Sequence, residues 1–362
     1  MPSFQSPPTS FVPAPPRYAL ANGNLRQSVP IYPGTVLDIG GGKYENSLRQ
    51  LTVEEFLYPH NRSERSLPTG LFYTTKGLEI WRDIIQLPEY QQTEDEIRLL
   101  NKFKEEITNF IVDGCTIVDM GSGDTRKVFP LLSFLDSLGV EVNYFALDLS
   151  NRALQKTMER LVPTFAYVKC FGLWGSFADG LEWLKTVHSP KFIMSLGSMF
   201  GNDEFKLAVS RLREWKAVMG PNDYMLLGLD ACTHPADLWA SYHDNGMVWE
   251  SFIRNGLEYS NEVLGHVWYR EEDWEVSGRI DCNPDVLHRF SIIAKRDIRC
   301  PELGLYFAAN ESVDFFEAWK YPPGRMSSQF KMAGFDLRAC WQAPGGRPFY
   351  EYLLSNASVG SF

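Results

Sequence analysis

The segment TIVDMGSGDTRKV, residues 116–128, predicts the architecture of the chain. It reads as a short apolar strand, a turn that contains two glycines, and the start of a helix over 125–138. The alternation continues to residue 231, and strands separated by helices pair in parallel, so we predict a doubly wound α/β sheet. The expected strands are 116–120, 142–149, 165–171, 191–197 and 223–231, and the later helices are 150–161, capped by Ser150, 181–187 and 203–218.

The composition favours a small-molecule partner. The 362 residues carry a formal net charge of -10 without long charged runs, which argues against nucleic acid and an anionic membrane surface as partners. No apolar run approaches the roughly 18 residues of a membrane span, and the first residues lack the apolar core of a signal peptide, so we predict a cytoplasmic protein. The six cysteines are scattered without a CxxC pair, so neither a metal site nor a disulfide framework is predicted.

The chain divides by composition around the predicted sheet. Residues 330–362 contain two aromatic-rich strands around an APGG turn, a hairpin that can pair antiparallel with the sheet edge. The segment before this hairpin is less regular and rich in Trp, Tyr, Asn and His, as in a lid or substrate domain. The predicted parts are a disordered Pro-rich tail at 1–30, the N-terminal part of a substrate domain at 31–94, a cofactor-binding core at 95–231, a substrate or lid domain at 232–329 and the hairpin.

Another glycine-rich segment, TVLDIGGGKYENS at 35–47, has the same outward form as 116–128. In chain order, 35–47 gives the first glycine loop and 116–128 gives the second. A cofactor loop needs backbone N–H groups at a helix N-terminus and an acid at the tip of the next strand, which binds a ribose diol. After Gly121 the chain continues with a helix and a strand that ends at Asp148. After Gly40–Gly42 neither a second strand nor a terminal acid follows. We therefore predict that the loop after residue 120 binds the cofactor and that the loop after residue 39 does not.

The strand tips indicate which cofactor binds. Arg126 occupies the third glycine position of G-x-G-x-x-G, which weakens a dinucleotide site and makes an oxidoreductase the second choice. Four consecutive strand tips on one rim match the layout of an S-adenosylmethionine site, with Asp148 on the ribose and Ser176 and Phe177 near the adenine. The predicted cofactor residues from these tips are Gly121, Ser122, Gly123, Lys127, Asp148, Gly175, Ser176, Phe177, Gly197 and Ser198.

Several long segments, in order along the chain, resemble one family. LFYTTKGLEIWRDIIQLPEY, VDMGSGDTRKV, FALDLS, GSFADGLEWL, SLGSMFGN and SYHDNGMVWESFIRN are similar to the histidine-specific N-methyltransferases of ergothioneine biosynthesis. The spellings LFYTTKG, GLDACTHPADLWASYHDNGMV and EEDW are closest to the fungal branch that N-methylates prenylated tryptophan in ergot-alkaloid pathways. The resemblance implies a Rossmann-like class I methyltransferase sheet with a C-terminal antiparallel hairpin. It also implies a second, substrate-binding domain that combines the N-terminal segment with an insertion.

The same resemblance implies roles for particular residues. Tyr73 would lie against the cofactor, and Tyr90 would face the α-amino group of an amino-acid substrate. Asn202 and Tyr242 would hold the amino and carboxylate ends of that substrate. Tyr90 and Asn202 are the predicted catalytic residues because they would orient the nitrogen lone pair toward the methyl group. No side chain in these motifs is identified as a general base.

One departure from the family concerns specificity. Histidine-specific members carry a Glu that binds imidazole in a segment of the form E-I-S-A-K-F, and RMSSQF at 325–330 places Arg325 there, followed by Ser327. A buried guanidinium without a partner would not suit imidazole, so an aromatic side chain is favoured, walled by Phe290, Trp249, Phe252 and Trp268. We predict N-methylation of a tryptophan-like amino acid, prenylated or not, in fungal alkaloid metabolism. The alternatives are another amino acid, histidine included, or binding of S-adenosylmethionine or an amino acid without turnover. The oligomeric state is left open.

Overall fold

The centre of the fold is a sheet of eight strands, which the computed structural model shows together with the rest of residues 17–19, 28–58 and 65–356. The strands described in these ranges are β1 Arg17–Ala19, β2 Ser28–Pro30, β3 Val36–Asp38, β4 Thr116–Met120, β5 Val142–Asp148, β6 Val168–Trp174, β7 Lys191–Ser195, β8 Tyr224–Asp230, β9 Trp274–Asp281, β10 Val286–Ala294, β11 Ile298–Cys300, β12 Leu305–Phe307, β13 Ser312–Lys320, β14 Phe335–Gln342 and β15 Phe349–Asn356. The α-helices are α1 Tyr44–Thr52, α2 Thr75–Ile84, α3 Gln92–Thr108, α4 Phe129–Ser137, α5 Asn151–Leu161, α6 Phe177–Leu184, α7 Phe205–Lys216, α8 Pro235–Tyr242, α9 Val248–Leu264 and α10 Pro323–Ala333.

The sheet has the order β14-β15-β8-β7-β4-β5-β6-β3. The strands from β8 to β3 are parallel, and β15 pairs antiparallel with both β8 and β14. This is a class I methyltransferase sheet with a C-terminal hairpin, so the predicted fold class is confirmed. The central strands β4 and β7 are buried along their whole length, as expected for strands covered by helices on both faces.

Two elements of the core begin elsewhere than predicted. β6 begins at Val168 rather than at residue 165, because the carboxylate of Asp136 accepts hydrogen bonds from the N–H groups of residues 166–168. α6 begins at Phe177 rather than at residue 181, because Ser176 and Asp179 form a reciprocal capping box there. The cap predicted at Ser150 is present, since its hydroxyl accepts the N–H of Ala153.

The boundaries between the predicted parts of the chain differ from those in the structure, beginning with the strand before the first glycine loop. β3 pairs in parallel with β6, with Asp38 opposite Trp174, so it is the edge strand of the core sheet rather than part of a substrate domain. α3 crosses the predicted boundary between residues 94 and 95. α10 crosses the boundary at 329 and buries Met326 and Phe330 in the core of the large sheet.

Six residues of the predicted disordered tail belong to a small sheet, in which β1 and β2 pair antiparallel, so the prediction is wrong for these six. The remainder of that tail, residues 1–16 and 20–27, lies outside the described residues, as do 59–64 and the last six positions of the predicted hairpin segment. In the described part of the chain, no helix is long and apolar enough to cross a membrane.

A second hydrophobic core lies beside the sheet. It joins residues of the N-terminal segment, such as Phe56 and Phe72, to residues of the insertion, such as Trp249 and Phe315. The insertion, predicted to be less regular than the core but with polar segments that look helical, contains α8, α9 and an antiparallel sheet of order β13-β10-β9. Its strand β10 is buried at six of nine positions without strict alternation, a pattern that gives little strand signal in the sequence.

Candidate active site

The turn after β4 lies close to residues that follow β6 and β7. Gly121 and Gly123 have positive φ angles of 68° and 21°, and the N–H groups of Gly121 and Ser122 donate to Leu147 of β5. A Cβ added to Gly121 would lie 2.5 Å from Cε of Met199 and 3.5 Å from Cζ of Phe177. The turn therefore requires glycine, and Phe177 lies over it as the first residue of α6.

Asp148 joins this turn at the end of β5. Its carboxylate accepts the N–H of Ser150 at 2.9 Å. Burial raises the pKa of the Asp148 carboxyl, while hydrogen bonds from the backbone N–H groups of Ser150, Gly123 and Leu149 oppose that shift. The predicted ribose acid is thus held against the second glycine of the loop.

Asp119, which the sequence reasoning did not select, lies beneath the same turn. Its Oδ2 accepts the hydroxyl of Tyr144 at 2.8 Å, and its buried Oδ1 has no hydrogen-bond partner among the described residues. Burial raises the pKa of this carboxyl to about 7. A buried acceptor without a partner, directly before a glycine turn, fits a cofactor that carries an ammonium and two ribose hydroxyls. Its position as the acid two residues before Gly121 was the available sequence signal.

The first glycine loop reaches the same rim, but its backbone N–H groups already bind a side chain of the same loop. Oδ1 of Asp38 accepts the N–H groups of Gly40 and Gly42 at 3.0 and 3.3 Å. A Cβ on Gly41 would lie 2.4 Å from the indole of Trp174, at the end of β6. The amides that would bind a cofactor's anionic group hold the loop's own carboxylate, and the glycines allow close packing on β6.

Several predicted cofactor residues support the rim through bonds within the protein. Nζ of Lys127 lies 3.1 Å from Oε2 of Glu96, whose Oε1 accepts the N–H of Gly197 at 2.7 Å. The hydroxyl of Ser198 accepts the N–H of Asp230, and Ser198 itself has a φ of 58°. A left-handed conformation at a residue other than glycine is uncommon and marks a strained strand tip.

Of the residues predicted near the adenine, some make contacts within the protein and one lies over the second loop. The hydroxyl of Ser176 donates to Asp179 at 2.6 Å and accepts its N–H, so this side chain caps α6. Gly175 packs against Ile39 of the first loop, where an added Cβ would lie 2.7 Å from Cγ1. Phe177 is the predicted adenine residue whose ring the structure places over the second loop.

Three predicted tyrosines meet beside the rim. The ring of Tyr90 packs against Tyr242 at 6.3 Å between centroids, and Tyr73 packs against Trp81, which also contacts Tyr90. Burial, followed by the neighbouring tyrosines, raises the pKa of the Tyr90 hydroxyl, and the carboxylates of Asp230 and Glu96 add to this shift. Tyr90 therefore lies close enough to Asp230, the last residue of β8, for the two groups to interact electrostatically.

Asn202 links the rim to the second domain. Its Nδ2 donates to the carbonyl of Glu317 at 2.9 Å, and its Oδ1 accepts the N–H of Trp319 at 2.6 Å, both in β13. It does not cap α7, whose N-cap is Glu204. The side chain thus fixes β13 against the tip of β7, and any bond to substrate would use its remaining hydrogen or lone pair.

A β-bulge lies next to the two hydrogen bonds of Asn202 to β13, which we call the Asn202 clamp. Phe290 pairs with Phe315 and Arg289 with Glu317, so Phe316 is the extra residue, with a φ of 45°. Its ring contacts those of Phe72, Trp249, Phe252 and Phe290 at centroid distances between 5.7 and 6.2 Å. A bulge re-aims a side chain, and its register cannot be read from the sequence, so Phe316 was missed.

The aromatic residues predicted for the substrate pocket separate into two groups. Phe290, Tyr242 and Trp249 line a cavity of about 290 Å³, together with Trp239 and His243. Nε2 of His243 lies 2.9 Å from Nε2 of His288. Burial lowers the pKa of both rings, that of His288 to about 3, which favours a neutral pair. Trp268 instead packs against Phe56 and Phe307, away from Tyr90.

The predicted specificity residues Arg325 and Ser327 are not brought into this cluster. The guanidinium of Arg325 binds both oxygens of Asp285 at 2.7 and 2.8 Å and lies 3.9 Å from the ring centroid of Phe205. The exposed Ser327 donates to the carbonyl of Pro323 in its own helix. The argument from an unpartnered buried charge is therefore wrong, because Arg325 is paired and its side chain is 39% exposed.

The chain is similar to several known proteins. The family described as "Histidine-specific methyltransferase, SAM-dependent" matches residues 49–356. The chain is 36% identical over 299 residues to ergothioneine biosynthesis protein 1 of Neurospora crassa, covering 82% of this chain but 34% of that protein, so it spans about a third of that relative's length. It is 28% identical to the 4-dimethylallyltryptophan N-methyltransferase of Epichloe festucae var. lolii, covering 88% and 98% of the two chains. It is 27% identical to the N-methyltransferase imqF of Aspergillus flavus, covering 79% and 80%.

Proposed function

Because the chain belongs to the S-adenosylmethionine-dependent, histidine-specific methyltransferase family, we propose that this methyltransferase acts on the α-amino nitrogen of an aromatic, tryptophan-like amino acid. The single observation that carries the aromatic preference is Phe316, whose ring the bulge turns into the aromatic cluster directly beside the Asn202 clamp. A substrate side chain extending from the rim into the second domain would meet aromatic rings on several sides.

The cofactor site supports methyl transfer at the rim. Gly121 and Gly123 would let the backbone approach S-adenosylmethionine, Asp148 would accept the ribose hydroxyls, and Phe177 would contact the adenine. The unsatisfied Oδ1 of Asp119 would accept a hydrogen bond from the cofactor's amino group. Bound there, the cofactor supplies an electrophilic methyl group on a sulfonium.

The tyrosines and Asn202 would orient the amino acid. An ammonium has no lone pair, so the site must hold the amine in its neutral form with its lone pair directed at the methyl group. Tyr90 would bind the amine as a hydrogen-bond acceptor, because burial keeps its hydroxyl protonated and its oxygen available. Asn202 would share this task, and Tyr242 would donate to the carboxylate.

Histidine is the second candidate substrate, and the family description and the Neurospora crassa relative favour it. The relative from Epichloe, matched over 98% of its length, favours a prenylated tryptophan and hence a place in fungal alkaloid metabolism. The neutral His243–His288 pair can accept or donate a hydrogen bond, and it would suit an indole N–H better than a charged group.

A panel of amino acids separates these candidates. The enzyme with S-adenosylmethionine and equal histidine, tryptophan and 4-dimethylallyltryptophan should N-methylate the indole substrates in preference, as read by mass spectrometry. Phe316→Glu should lower kcat/KM for the indole substrates by at least about tenfold, or about 1.4 kcal/mol, because it places a charge among aromatic rings. Phe316→Leu, a matched apolar control, should lower it less. A wild-type preference for histidine would contradict the proposal, and no S-adenosylhomocysteine with any amino acid would indicate binding without turnover.

A further inference from the structure

A buried lysine connects the three parts of the proposed site. Lys320 is the last residue of β13, and its side chain is 2% exposed. Its Nζ lies 2.7 Å from Oδ2 of Asp230, the last residue of β8, and 3.1 Å from the hydroxyl oxygen of Tyr242, the last residue of α8. The ammonium therefore holds the ends of β8, β13 and α8 together.

The bond from Lys320 sets the direction of the Tyr242 hydroxyl. An ammonium only donates, so it takes a lone pair of the phenol oxygen, and the phenol hydrogen must be donated to another acceptor. Among the described residues, Lys320 is the partner with which the Tyr242 hydroxyl forms a hydrogen bond. A carboxylate bound beside it would accept that hydrogen.

The charge balance favours the same ligand. Asp230 offsets the charge of Lys320 and raises the pKa of the ammonium, although burial opposes this. Once its ammonium has lost a proton to solvent, the amino acid has a neutral amine and an ionised carboxylate, so the reacting form is an anion. The N–H of Cys232 also donates to Asp230, so the backbone shares in balancing that carboxylate and the ammonium can still attract the negative charge of a substrate.

We propose that Lys320 is a positioning residue that directs the Tyr242 hydroxyl onto the carboxylate of the amino-acid substrate. This inference rests on the proposed function and adds the requirement for an α-carboxylate. Lys320 fixes the donor, and Tyr242 makes the contact. Substrates without a carboxylate gain nothing from this arrangement.

The test compares Lys320→Met with Lys191→Met. Lys191 also forms a buried pair, 3.0 Å from Asp223, but at the opposite end of the sheet, so it controls for the loss of a buried lysine. Lys320→Met should raise KM for the amino acid by at least about tenfold, or about 1.4 kcal/mol. KM for the decarboxylated amine, the Kd for S-adenosylmethionine and the kinetics of Lys191→Met should stay within about twofold of wild type.

Two further variants separate positioning from general destabilisation. Lys320→Met leaves Asp230 without its partner, and Lys320→Met/Asp230→Asn removes that unpaired charge while keeping the predicted KM effect. Combining Lys320→Met with Tyr242→Phe should add little to the KM of either single variant, because both remove the same contact.

Equal losses for amino acid and amine, or fully additive effects with Tyr242→Phe, would overturn the role of Lys320. Equal wild-type kcat/KM for amino acid and amine would also overturn it while leaving N-methylation intact. Absence of turnover in the wild type with both substrates would overturn the proposed function itself.

Discussion

The two glycine loops reach the same rim but differ in what their amides face. After β3, the N–H groups of Gly40 and Gly42 bind the exposed carboxylate of Asp38. After β4, the corresponding acid, Asp119, is buried below the turn and bonded to Tyr144. The amides of the first loop hold its own carboxylate, and the loop packs on Trp174. The amides of the second loop also bond within the protein, to Leu147 and Asp148, but the buried Oδ1 of Asp119 beside them has no partner among the described residues. The placement of the nearest carboxylate, rather than the number of glycines, distinguishes the two.

The largest expected effect separates the second loop from ordinary left-handed glycines. Gly121→Ala should weaken S-adenosylmethionine binding by about 100-fold, or about 2.7 kcal/mol, because the methyl meets Met199 and the backbone leaves its positive φ. The matched control is Gly114→Ala, since Gly114 has a φ of 76° before β4 but open space around it. Gly114→Ala should cost stability without changing the Kd. Equal loss of affinity in both variants would mean that strain alone accounts for the result.

The pH dependence of stability should distinguish the two acids. The pKa of Asp119 is raised to about 7, so its contribution is fully present below its ordinary value near 3.8 and is lost as pH rises through about 7. The stability of Asp119→Asn relative to wild type should therefore increase from pH 5 to pH 7, by on the order of 2 kcal/mol. Urea unfolding of both proteins at each pH measures this difference.

Asp38→Asn is the control for that experiment, because the Asp38 side chain is exposed to water in the folded chain. Its stability should run parallel to that of wild type over the same pH range. The contrast between the exposed and the buried acid would be removed by either of two results. One is a stability of Asp38→Asn relative to wild type that increases from pH 5 to pH 7, and the other is a relative stability of Asp119→Asn that does not change.

The smallest effect is expected in the first loop. A Cβ on Gly42 would lie 3.0 Å from Oδ2 of Asp38, a side chain that can move toward water. Gly42→Ala should therefore leave the Kd for S-adenosylmethionine within about twofold and lower stability by less than about 1 kcal/mol. Calorimetric titration and thermal unfolding would show this. A loss of affinity comparable to that of Gly121→Ala would bring the first loop into the cofactor site.

Local signals in the sequence were sufficient for much of the fold. The strand at 116–120, the cap at Ser150 and the C-terminal hairpin depend on neighbours along the chain, and all three are observed. The edge position of β3 and the start of β6 depend on partners far along the chain, Trp174 and Asp136, which periodicity does not reveal.

The candidate site shows the same division. The second loop and Asp148 follow from the order of strand, helix and strand, and they meet in the structure. Phe316 enters the aromatic cluster through a bulge, and Arg325 is taken up by Asp285 from another segment, so a short motif match misplaced the specificity residue. The Lys320–Tyr242–Asp230 contacts join three distant segments and needed the structure to be found.

The most direct test of the central claim is a paired calorimetric titration of S-adenosylmethionine into Asp148→Ala and Asp38→Ala. If the cofactor binds at the second loop, Asp148→Ala should weaken binding by at least about tenfold, or about 1.4 kcal/mol. Asp38→Ala should bind within about twofold of wild type and lose only stability. Weakened binding in Asp38→Ala with wild-type affinity in Asp148→Ala would contradict the assignment and place the cofactor at the first loop.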